Sequence, residues 1–320
     1  MAPIKLACDL SRLNKTTPDG IVIYANFILN LLRSSGEIEL VKESESAVIL
    51  SLDGRFRPGR GQLTVSAIHD LGHLLYRRAY SLPRWIQQSW RVASAAHRSH
   101  HLLAPSAAIS DGLQRWLRVP AQRITQLEPL PQPHFQRSSV AEIEAFQGSL
   151  GLPPRYFLFL GHRSRRKNLN LLARAWQLAK PQLGSEVGLV VAGNGSISVP
   201  TAHNLDYLPP SSLPPLLSGA LAWLCPSFYE GSAVGAMEAM ACGAPPLVAP
   251  AGALARAVEG AGLILDPEQP EQWAQAMVDI ASNNRLRASL SAAGRRAIGK
   301  RRSHPPEVES LLAVFREAVS

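Results

Sequence analysis

The stretch Pro226-Ser-Phe-Tyr-Glu230-Gly-Ser-Ala-Val-Gly-Ala-Met-Glu238-Ala-Met-Ala-Cys-Gly243 contains a glycine-bearing loop that opens a helix. The apolar run just before it, 221–225, is typical of a buried strand. Backbone N–H groups at the start of the helix would lie at the positive end of its dipole, where anions bind. The two glutamates, eight positions apart, can lie on either side of such a site. This segment therefore predicts an anion-binding loop at the end of a sheet strand.

Strands and helices alternate on both sides of this segment. The predicted strands of the second half are 156–160, 187–192, 221–225, 246–249 and 263–265. Those of the first half are 5–10, 47–52, 64–68 and 101–104. Alternation of this kind predicts parallel, doubly wound sheets, in which ligands bind at the carboxyl ends of the strands. A length of 320 residues suits two domains, with the boundary between 132 and 154.

Composition restricts the classes of protein to consider. Hydrophobic residues make up 46% and charged residues 18% of the chain, and no run reaches the roughly 18 apolar residues of a membrane span. Asp9 stands where a signal peptide would be apolar, so we expect a cytoplasmic protein. The three cysteines lack metal-ligand spacing. A net charge of +9 suits a phosphorylated substrate, an anionic membrane, nucleic acid, or merely a basic solvated surface.

A second cationic segment follows a predicted strand. After Phe157-Leu-Phe-Leu comes Gly161-His-Arg-Ser-Arg-Arg-Lys167, a glycine turn with four cations before a helix. Positive charge gathered at the carboxyl end of a strand suits a diphosphate, because charge-assisted hydrogen bonds to phosphate are strong. The alternative is a solvated basic loop.

The segment from Glu230 to Glu238 resembles the Glu-x7-Glu signature of glycosyltransferase family 4, the glycosyl transferases group 1. The resemblance implies the GT-B fold, with two Rossmann-like, doubly wound parallel-sheet domains facing a cleft. It places an acceptor-side domain at 1–140, with the final helix at 306–318 packing back on it. The nucleotide-sugar donor domain would be 150–305.

The resemblance also implies an activity, namely transfer of a hexosyl unit of mannosyl or glucosyl type from a nucleotide-diphosphate sugar. Anomeric configuration would be retained, no metal or other cofactor would be required, and the acceptor would be a glycan or a lipid-linked molecule. The residues assigned to catalysis are His69, Lys167 and Glu230. Those assigned to the donor are Gly161, His162, Arg163, Arg166, Lys167, Glu230, Gly231, Ser232, Ala233, Val234 and Glu238.

On the acceptor side, the resemblance assigns Gly20 and Asp70. The pair His69-Asp70 closes a strand in the manner of the family's His-Asp-Leu, whereas Val22 and Ile23 replace the second glycine and the arginine of the family loop. That departure keeps open a degenerate member that binds a nucleotide sugar or a partner without catalysis. A dinucleotide oxidoreductase is disfavoured, because no Gly-x-Gly-x-x-Gly follows the first strand.

A basic helix is expected from Pro83 onwards, with Ser81 as its cap. No acidic residue lies between Asp70 and Asp111, and Arg84, Arg91 and Arg98 recur every seven positions, which aligns them on one stripe. Trp85, Ile86, Ser89, Trp90 and Ala93 lie mostly on the other side. This is either a helix with a packed apolar face and a solvated arginine face, or a contact for an anionic membrane surface, which would make the protein peripheral on the inner face. No nucleic-acid-binding module accompanies the charge.

Overall fold

The computed structural model describes residues 3–8, 20–57 and 61–317 of the chain. The chain divides into two compact units. Unit 1 comprises residues 1–129 and 305–320, and unit 2 comprises residues 130–304. Each unit has a six-stranded sheet in which all the pairings are parallel.

Unit 1 is built around strands whose order in the sheet is β2-β1-β3-β4-β5-β6. The strands are β1 (Ile4–Cys8), β2 (Ile38–Leu40), β3 (Val48–Ser51), β4 (Leu63–Ala67), β5 (His101–Ala104) and β6 (Ile124–Gln126). The helices between them are α1 (Gly20–Ser34), α2 (Gly72–Leu75), α3 (Leu82–Arg98) and α4 (Ala107–Leu117). In α1, residues four apart such as Tyr24, Ile28 and Leu32 are buried, as expected of a helix that covers one face of a sheet.

Unit 2 has the strand order β12-β11-β10-β7-β8-β9. Its strands are β7 (Arg155–Leu160), β8 (Val187–Ala192), β9 (His203–Leu205), β10 (Ala220–Cys225), β11 (Pro246–Val248) and β12 (Leu263–Ile264). Its helices are α5 (Val140–Leu150), α6 (Leu169–Ala179), α7 (Leu213–Gly219), α8 (Val234–Cys242), α9 (Leu254–Val258), α10 (Pro270–Ser282) and α11 (Asn284–Ser303). The central strand β10 is buried along its whole length, which explains its unbroken apolar sequence.

The last helix, α12 (Glu309–Glu317), belongs to unit 1. Its side chains Leu311, Leu312 and Phe315 are buried in the core of that unit. Arg316 lies 2.7 Å from a carboxylate oxygen of Glu37 and 2.6 Å from one of Glu309. The core of unit 1 is therefore completed by residues that come from far along the chain.

The predicted α/β class, with two doubly wound parallel sheets, is confirmed. Three strands were not predicted, namely β2, β6 and β9, and each is a three-residue strand at the edge of its sheet. The predicted cap of α3 is wrong in one respect, because Ser81 occupies the N-cap position but its side chain makes no capping hydrogen bond. In the described part of the chain, no helix is both long and apolar enough to span a bilayer.

The arginines of α3 do not form a single free stripe. Arg91 is turned towards the loop after β3, where its guanidinium donates to the carbonyl oxygen of Gly54 at 3.0 Å and to that of Asp53. Arg84 and Arg98 are exposed. Of the three predicted stripe residues, Arg91 is therefore the one that ties α3 to the loop after β3.

The apolar side chains of α3 also differ from expectation. The helix packs against unit 1 through Val92, Ala95 and Ala96. Ile86 and Trp90, which a packed apolar face would bury, are 53% and 69% exposed. The helical period predicts which residues of α3 share a side of the helix. It does not predict which side packs against the core.

Candidate functional site

The cationic segment of unit 2 lies directly after β7. Gly161 is the first residue after the strand, and its carbonyl oxygen approaches Gly193 so closely that a Cβ on Gly193 would lie 2.3 Å away. Residues 165–167 form one 3₁₀ turn, and Asn168 follows in the left-handed region with a φ of 54°. The Asn168 side-chain amide donates to the Pro267 carbonyl at 2.9 Å. These contacts fix the turn that carries Lys167.

Lys167, Arg166 and Glu230 meet in an ion-pair cluster. The Lys167 Nζ lies 2.6 Å from Glu230 Oε1, and an Arg166 guanidinium nitrogen lies 3.1 Å from Glu230 Oε2. Arg166 also donates to the carbonyl oxygen of Tyr229. All three side chains of the cluster are largely buried, with exposures of 14%, 23% and 13% respectively. The two segments singled out in the sequence, 157–167 and 226–243, thus come together in unit 2.

The electrostatics of the cluster keep Glu230 ionised. Burial alone would raise the pKa of Glu230, but the positive charges of Lys167 and Arg166 outweigh it. Hydrogen bonds from Lys167 and Ser227 act in the same direction, so that the pKa falls to about 2. An ionised carboxylate only accepts hydrogen bonds. Glu230 can therefore accept hydrogen bonds from hydroxyl or ammonium groups at any ordinary pH.

The backbone around Glu230 is held by a glycine of a later loop. The Glu230 carbonyl oxygen accepts a hydrogen bond from the Ala253 N–H at 3.0 Å. Gly252 has a φ of 57°, and a Cβ there would lie 2.1 Å from that same oxygen. Glycine is required at this position, because a larger residue would displace the Glu230 backbone.

Helix α8 presents its first turn beside the glycine-bearing loop 231–233. Ala233 is the N-cap and provides no side-chain capping bond, while the Val234 N–H donates to Ser232 Oγ at 3.4 Å. The next N–H groups of a helix have no partner within it. This turn therefore has the polarity needed to bind an anion.

Glu238 lies one turn further along α8 and is buried, with 8% of its surface exposed. Burial raises the pKa of Glu238 to about 8. Among residues 3–8, 20–57 and 61–317, no group forms a hydrogen bond or an ion pair with it. An unpaired buried carboxyl is costly, and such groups are commonly found where a ligand completes the site.

The other predicted donor residues of unit 2 are spread around this cluster. Gly161 lies beside it, because a Cβ there would be 3.7 Å from the Lys167 Nζ. Arg163 lies 3.3 Å from Asp206 rather than with Glu230. His162 is exposed. The loop residues Gly231, Ser232, Ala233 and Val234 lead from Glu230 into α8.

Of the predicted residues of unit 1, His69 and Asp70 follow β4, and Gly20 begins α1. His69 Nε2 lies 2.8 Å from the Leu52 carbonyl oxygen, and the ring meets Tyr24 edge-on at 5.2 Å. Asp70 Oδ1 accepts the Gly72 N–H at 2.5 Å, which starts α2. Gly20 is the first residue of α1, and the loop before it lies outside the described residues.

Two residues that support Glu230 were not identified from the sequence. Ser227 is fully buried next to Glu230, and Gly252 supports the Glu230 backbone from a distant loop. The position of Ser227 two residues after a buried strand was a usable signal, whereas the role of Gly252 depends on tertiary contact alone. In the described part of the chain, no three His, Cys, Asp or Glu side chains gather in a way that could hold a metal ion.

Comparison with known proteins gives a consistent result. Residues 141–297 match the family described as Glycosyl transferases group 1. The D-inositol 3-phosphate glycosyltransferase of Salinispora arenicola is 31% identical over 195 residues, which are 53% of this chain. The match covers 43% of that relative, so the chain spans less than half of its length.

Two solved structures share the fold. Sucrose-phosphate synthase from Thermosynechococcus elongatus superposes with a TM-score of 0.77 at 16% identity, over 100% of both chains. The Anabaena protein Alr3699/HepE, in complex with UDP-glucose, gives a TM-score of 0.71 at 14% identity, over 98% of both chains. The signature from Glu230 to Glu238 lies within the matched region, so that residues 141–297 form a glycosyl transferases group 1 domain, and the chain has the GT-B fold.

Proposed function

We propose that this protein is a retaining glycosyltransferase that uses a nucleotide-diphosphate sugar. It transfers a hexosyl unit, of mannosyl or glucosyl type, to a glycan or a lipid-linked acceptor. The observation that carries the proposal is the convergence of Lys167 and Arg166 on Glu230, beside the start of α8. Two cations and a helix N-terminus suit a diphosphate, and the complex of the Anabaena protein with UDP-glucose shows that this fold accommodates such a donor.

The cations would act on the leaving group. Transfer breaks the bond between the anomeric carbon and a diphosphate oxygen, which leaves negative charge on the diphosphate. Lys167, Arg166 and the N–H groups of α8 would stabilise that charge as it develops. Each charge-assisted hydrogen bond contributes about 1.5–3 kcal/mol. Because these groups supply positive charge themselves, we propose a reaction without a required metal.

The two glutamates would have different tasks. Glu230 holds both cations, and an arriving diphosphate would take over part of that pairing. The ionised carboxylate would then accept hydrogen bonds from hydroxyls of the donor sugar. Glu238 has no hydrogen-bond partner among the residues that the structure describes, and the ribose hydroxyls of the nucleotide would fill that role.

The acceptor side of the proposal depends on unit 1. His69 would orient donor or acceptor groups, with Asp70 next to it in sequence and Gly20 at the start of α1 on the acceptor side. A nucleotide-sugar donor suits a cytoplasmic enzyme, and a lipid-linked acceptor would bring that enzyme to the inner face of a membrane.

A donor screen tests the proposal. Purified protein is mixed with each common nucleotide sugar, and thermal stability and slow donor hydrolysis are measured. We expect one donor to stabilise the protein and to be hydrolysed, and Lys167→Ala or Glu238→Ala to lose most of that hydrolysis. Arg174→Ala is the matched control, because Arg174 is an exposed cation on α6. Full activity of either site variant would contradict the assignment. Stabilisation without hydrolysis or transfer would favour the non-catalytic alternative.

A further inference from the structure

The Glu230 carboxylate is contacted by hydrogen-bond donors of two kinds. Lys167 and Arg166 are cations on long side chains, and their nitrogens lie 2.6 Å and 3.1 Å from the two carboxylate oxygens. Ser227 and Cys225 are short and neutral, and only 0% and 2% of their surfaces are exposed. The Ser227 hydroxyl donates a hydrogen bond to the carboxylate, and the Cys225 Sγ lies 3.9 Å from Oε1.

The thiol of Cys225 supports the hydrogen bond from Ser227. A hydroxyl has one proton to donate, and Ser227 directs it to Glu230. The Cys225 Sγ lies 3.3 Å from the Ser227 Oγ. Burial raises the pKa of Cys225 to about 11, so that the sulfur keeps its own proton near neutral pH. The thiol can therefore donate to Ser227 Oγ, which leaves the hydroxyl proton for Glu230.

The backbone on both sides of Ser227 is fixed. Cys225 ends β10, and its carbonyl oxygen accepts a hydrogen bond from the Ala249 N–H at 3.0 Å. The Phe228 N–H donates to the Arg166 carbonyl oxygen, also at 3.0 Å. A short buried side chain held in this way stays where it is when a ligand arrives, whereas long cationic side chains can turn towards the ligand.

This difference becomes important once a donor is bound. An arriving diphosphate would draw Lys167 and Arg166 at least partly away from Glu230. A buried carboxylate that loses its charged partners either turns away or takes up a proton. Glu238 shows how strong the second tendency is in the same segment, because burial raises its pKa to about 8. After either change, the Glu230 carboxylate could no longer accept hydrogen bonds from the donor sugar as proposed.

We propose that Ser227 is a positioning residue that holds the Glu230 carboxylate in place when the donor diphosphate draws Lys167 and Arg166 away. This role depends on the proposed function, because it concerns the same donor site. The alternative is a serine that only fills the core. Loss of its hydroxyl would then lower stability without changing the protonation of Glu230 in the occupied site.

Calorimetry of diphosphate binding tests this role without any turnover. Inorganic pyrophosphate, UDP and GDP are the probes. Each is titrated at about pH 7 in two buffers of different ionisation enthalpy, which counts the protons taken up on binding. Ser227→Ala should take up more protons per bound diphosphate than the wild type, by up to about one. Ser227→Thr keeps the hydroxyl and should match the wild type, whereas Ser227→Val has the same shape without it and should match Ser227→Ala.

Turnover of UDP-glucose and GDP-mannose gives a second readout. In Ser227→Ala, kcat should fall roughly 10- to 100-fold, as expected for the loss of a hydrogen bond to a charged group. The KM for the donor should change less than about threefold, because the cations that bind the diphosphate are intact. The acidic limb of kcat should move up by about one pH unit. That of kcat/KM should not move, because it reports the free enzyme, in which the cations still hold Glu230 ionised.

Ser99→Ala is the matched control, because Ser99 is a buried serine of unit 1 whose hydroxyl donates to Ser66 Oγ at 2.8 Å. It should lower stability without changing proton uptake. Equal proton uptake in the wild type and Ser227→Ala would overturn the positioning role and leave the donor site intact. A wild type that binds none of the three diphosphates would overturn the proposed function itself, and the role of Ser227 with it.

Discussion

Two buried carboxyl groups of one loop–helix segment have pKa values shifted in opposite directions. Burial acts on both, but Glu230 has Lys167 and Arg166 within hydrogen-bond reach, and its pKa falls to about 2. Glu238 has no such partner in the described part of the chain, and burial raises its pKa to about 8. Near neutral pH one group is therefore ionised and the other mostly protonated. A protonated carboxyl both donates and accepts, which suits a diol such as ribose.

The unpaired carboxyl of Glu238 predicts a pH-dependent stability. The unfolded chain releases the Glu238 proton near pH 4.5, whereas the folded protein keeps it up to about pH 8. The folded state therefore binds more protons in that window, and stability falls as pH rises through it. Glu238→Gln is neutral throughout. The free energy of unfolding of this variant, relative to that of the wild type, should therefore increase by a few kcal/mol as the pH rises from about 5 to about 8.5. One unit of pKa shift corresponds to about 1.4 kcal/mol.

Urea unfolding of the ligand-free protein at the two pH values measures this gain. Glu144→Gln on α5 is the control, because it removes the same negative charge from an exposed position. A stability difference between wild type and Glu238→Gln that stays constant with pH would refute the prediction.

At the scale of the elements, burial decided what could be predicted from the sequence. The inner strands β3, β4, β7, β8 and β10 appear as apolar runs, because both of their faces are covered. The edge strands β2 and β9 have no buried residue, and β6 has one, so no apolar run marks them. These edge strands are held by backbone hydrogen bonds to a neighbouring strand, and such bonds cannot be predicted from the residue types.

The same reasoning applies to the candidate site. Lys167, Arg166 and Glu230 could be grouped from the sequence, because each follows a parallel strand and such strands end at one edge of the sheet. The support from Gly252 could not, since it depends on a backbone approach 22 positions after Glu230. The side of α3 that faces the core was equally hidden, because the arginine stripe and the Ile86–Trp90 side have the same helical period.

Two arginines of α3 should respond differently to replacement. Arg91 donates to the carbonyl oxygens of the loop after β3, and hydrogen bonds from charged groups contribute about 1.5–3 kcal/mol. Arg91→Gln should therefore lower the free energy of unfolding by about that amount. Arg84 is exposed, and Arg84→Gln should change stability by less than about 0.5 kcal/mol. Chemical denaturation measures the free energy of unfolding of both variants. Equal losses of stability in Arg91→Gln and Arg84→Gln would show that the hydrogen bonds of Arg91 do not stabilise the fold.

At the scale of the whole molecule, unit 1 is discontinuous in sequence. The chain leaves it after residue 129, forms all of unit 2, and returns at residue 305. Three apolar side chains of α12 then fill the core of unit 1, and Arg316 fastens the helix to Glu37. Integrity of the first sheet thus depends on contacts made by the end of the chain.

Phe315 is the largest of these side chains and is fully buried. Phe315→Ala should destabilise unit 1 by about 3–5 kcal/mol, as truncation of buried aromatic residues does elsewhere. Hydrogen exchange of the backbone amides of β1 and β3 is the direct measurement, and their protection should drop. Leu178→Ala, which trims a partly exposed side chain of α6, is the control. Unchanged protection of β1 in Phe315→Ala would show that α12 is dispensable.

The return of α12 to unit 1 reverses the order in which the two units can mature during synthesis. Residues 1–129 leave the ribosome before Leu311, Leu312 and Phe315, so their core lacks these three side chains while unit 2 is being translated. Unit 2 is contiguous and has all its residues once position 304 has emerged. The part that is made first is therefore the part that finishes folding last, and a nascent chain stalled before α12 would present an incomplete core to chaperones.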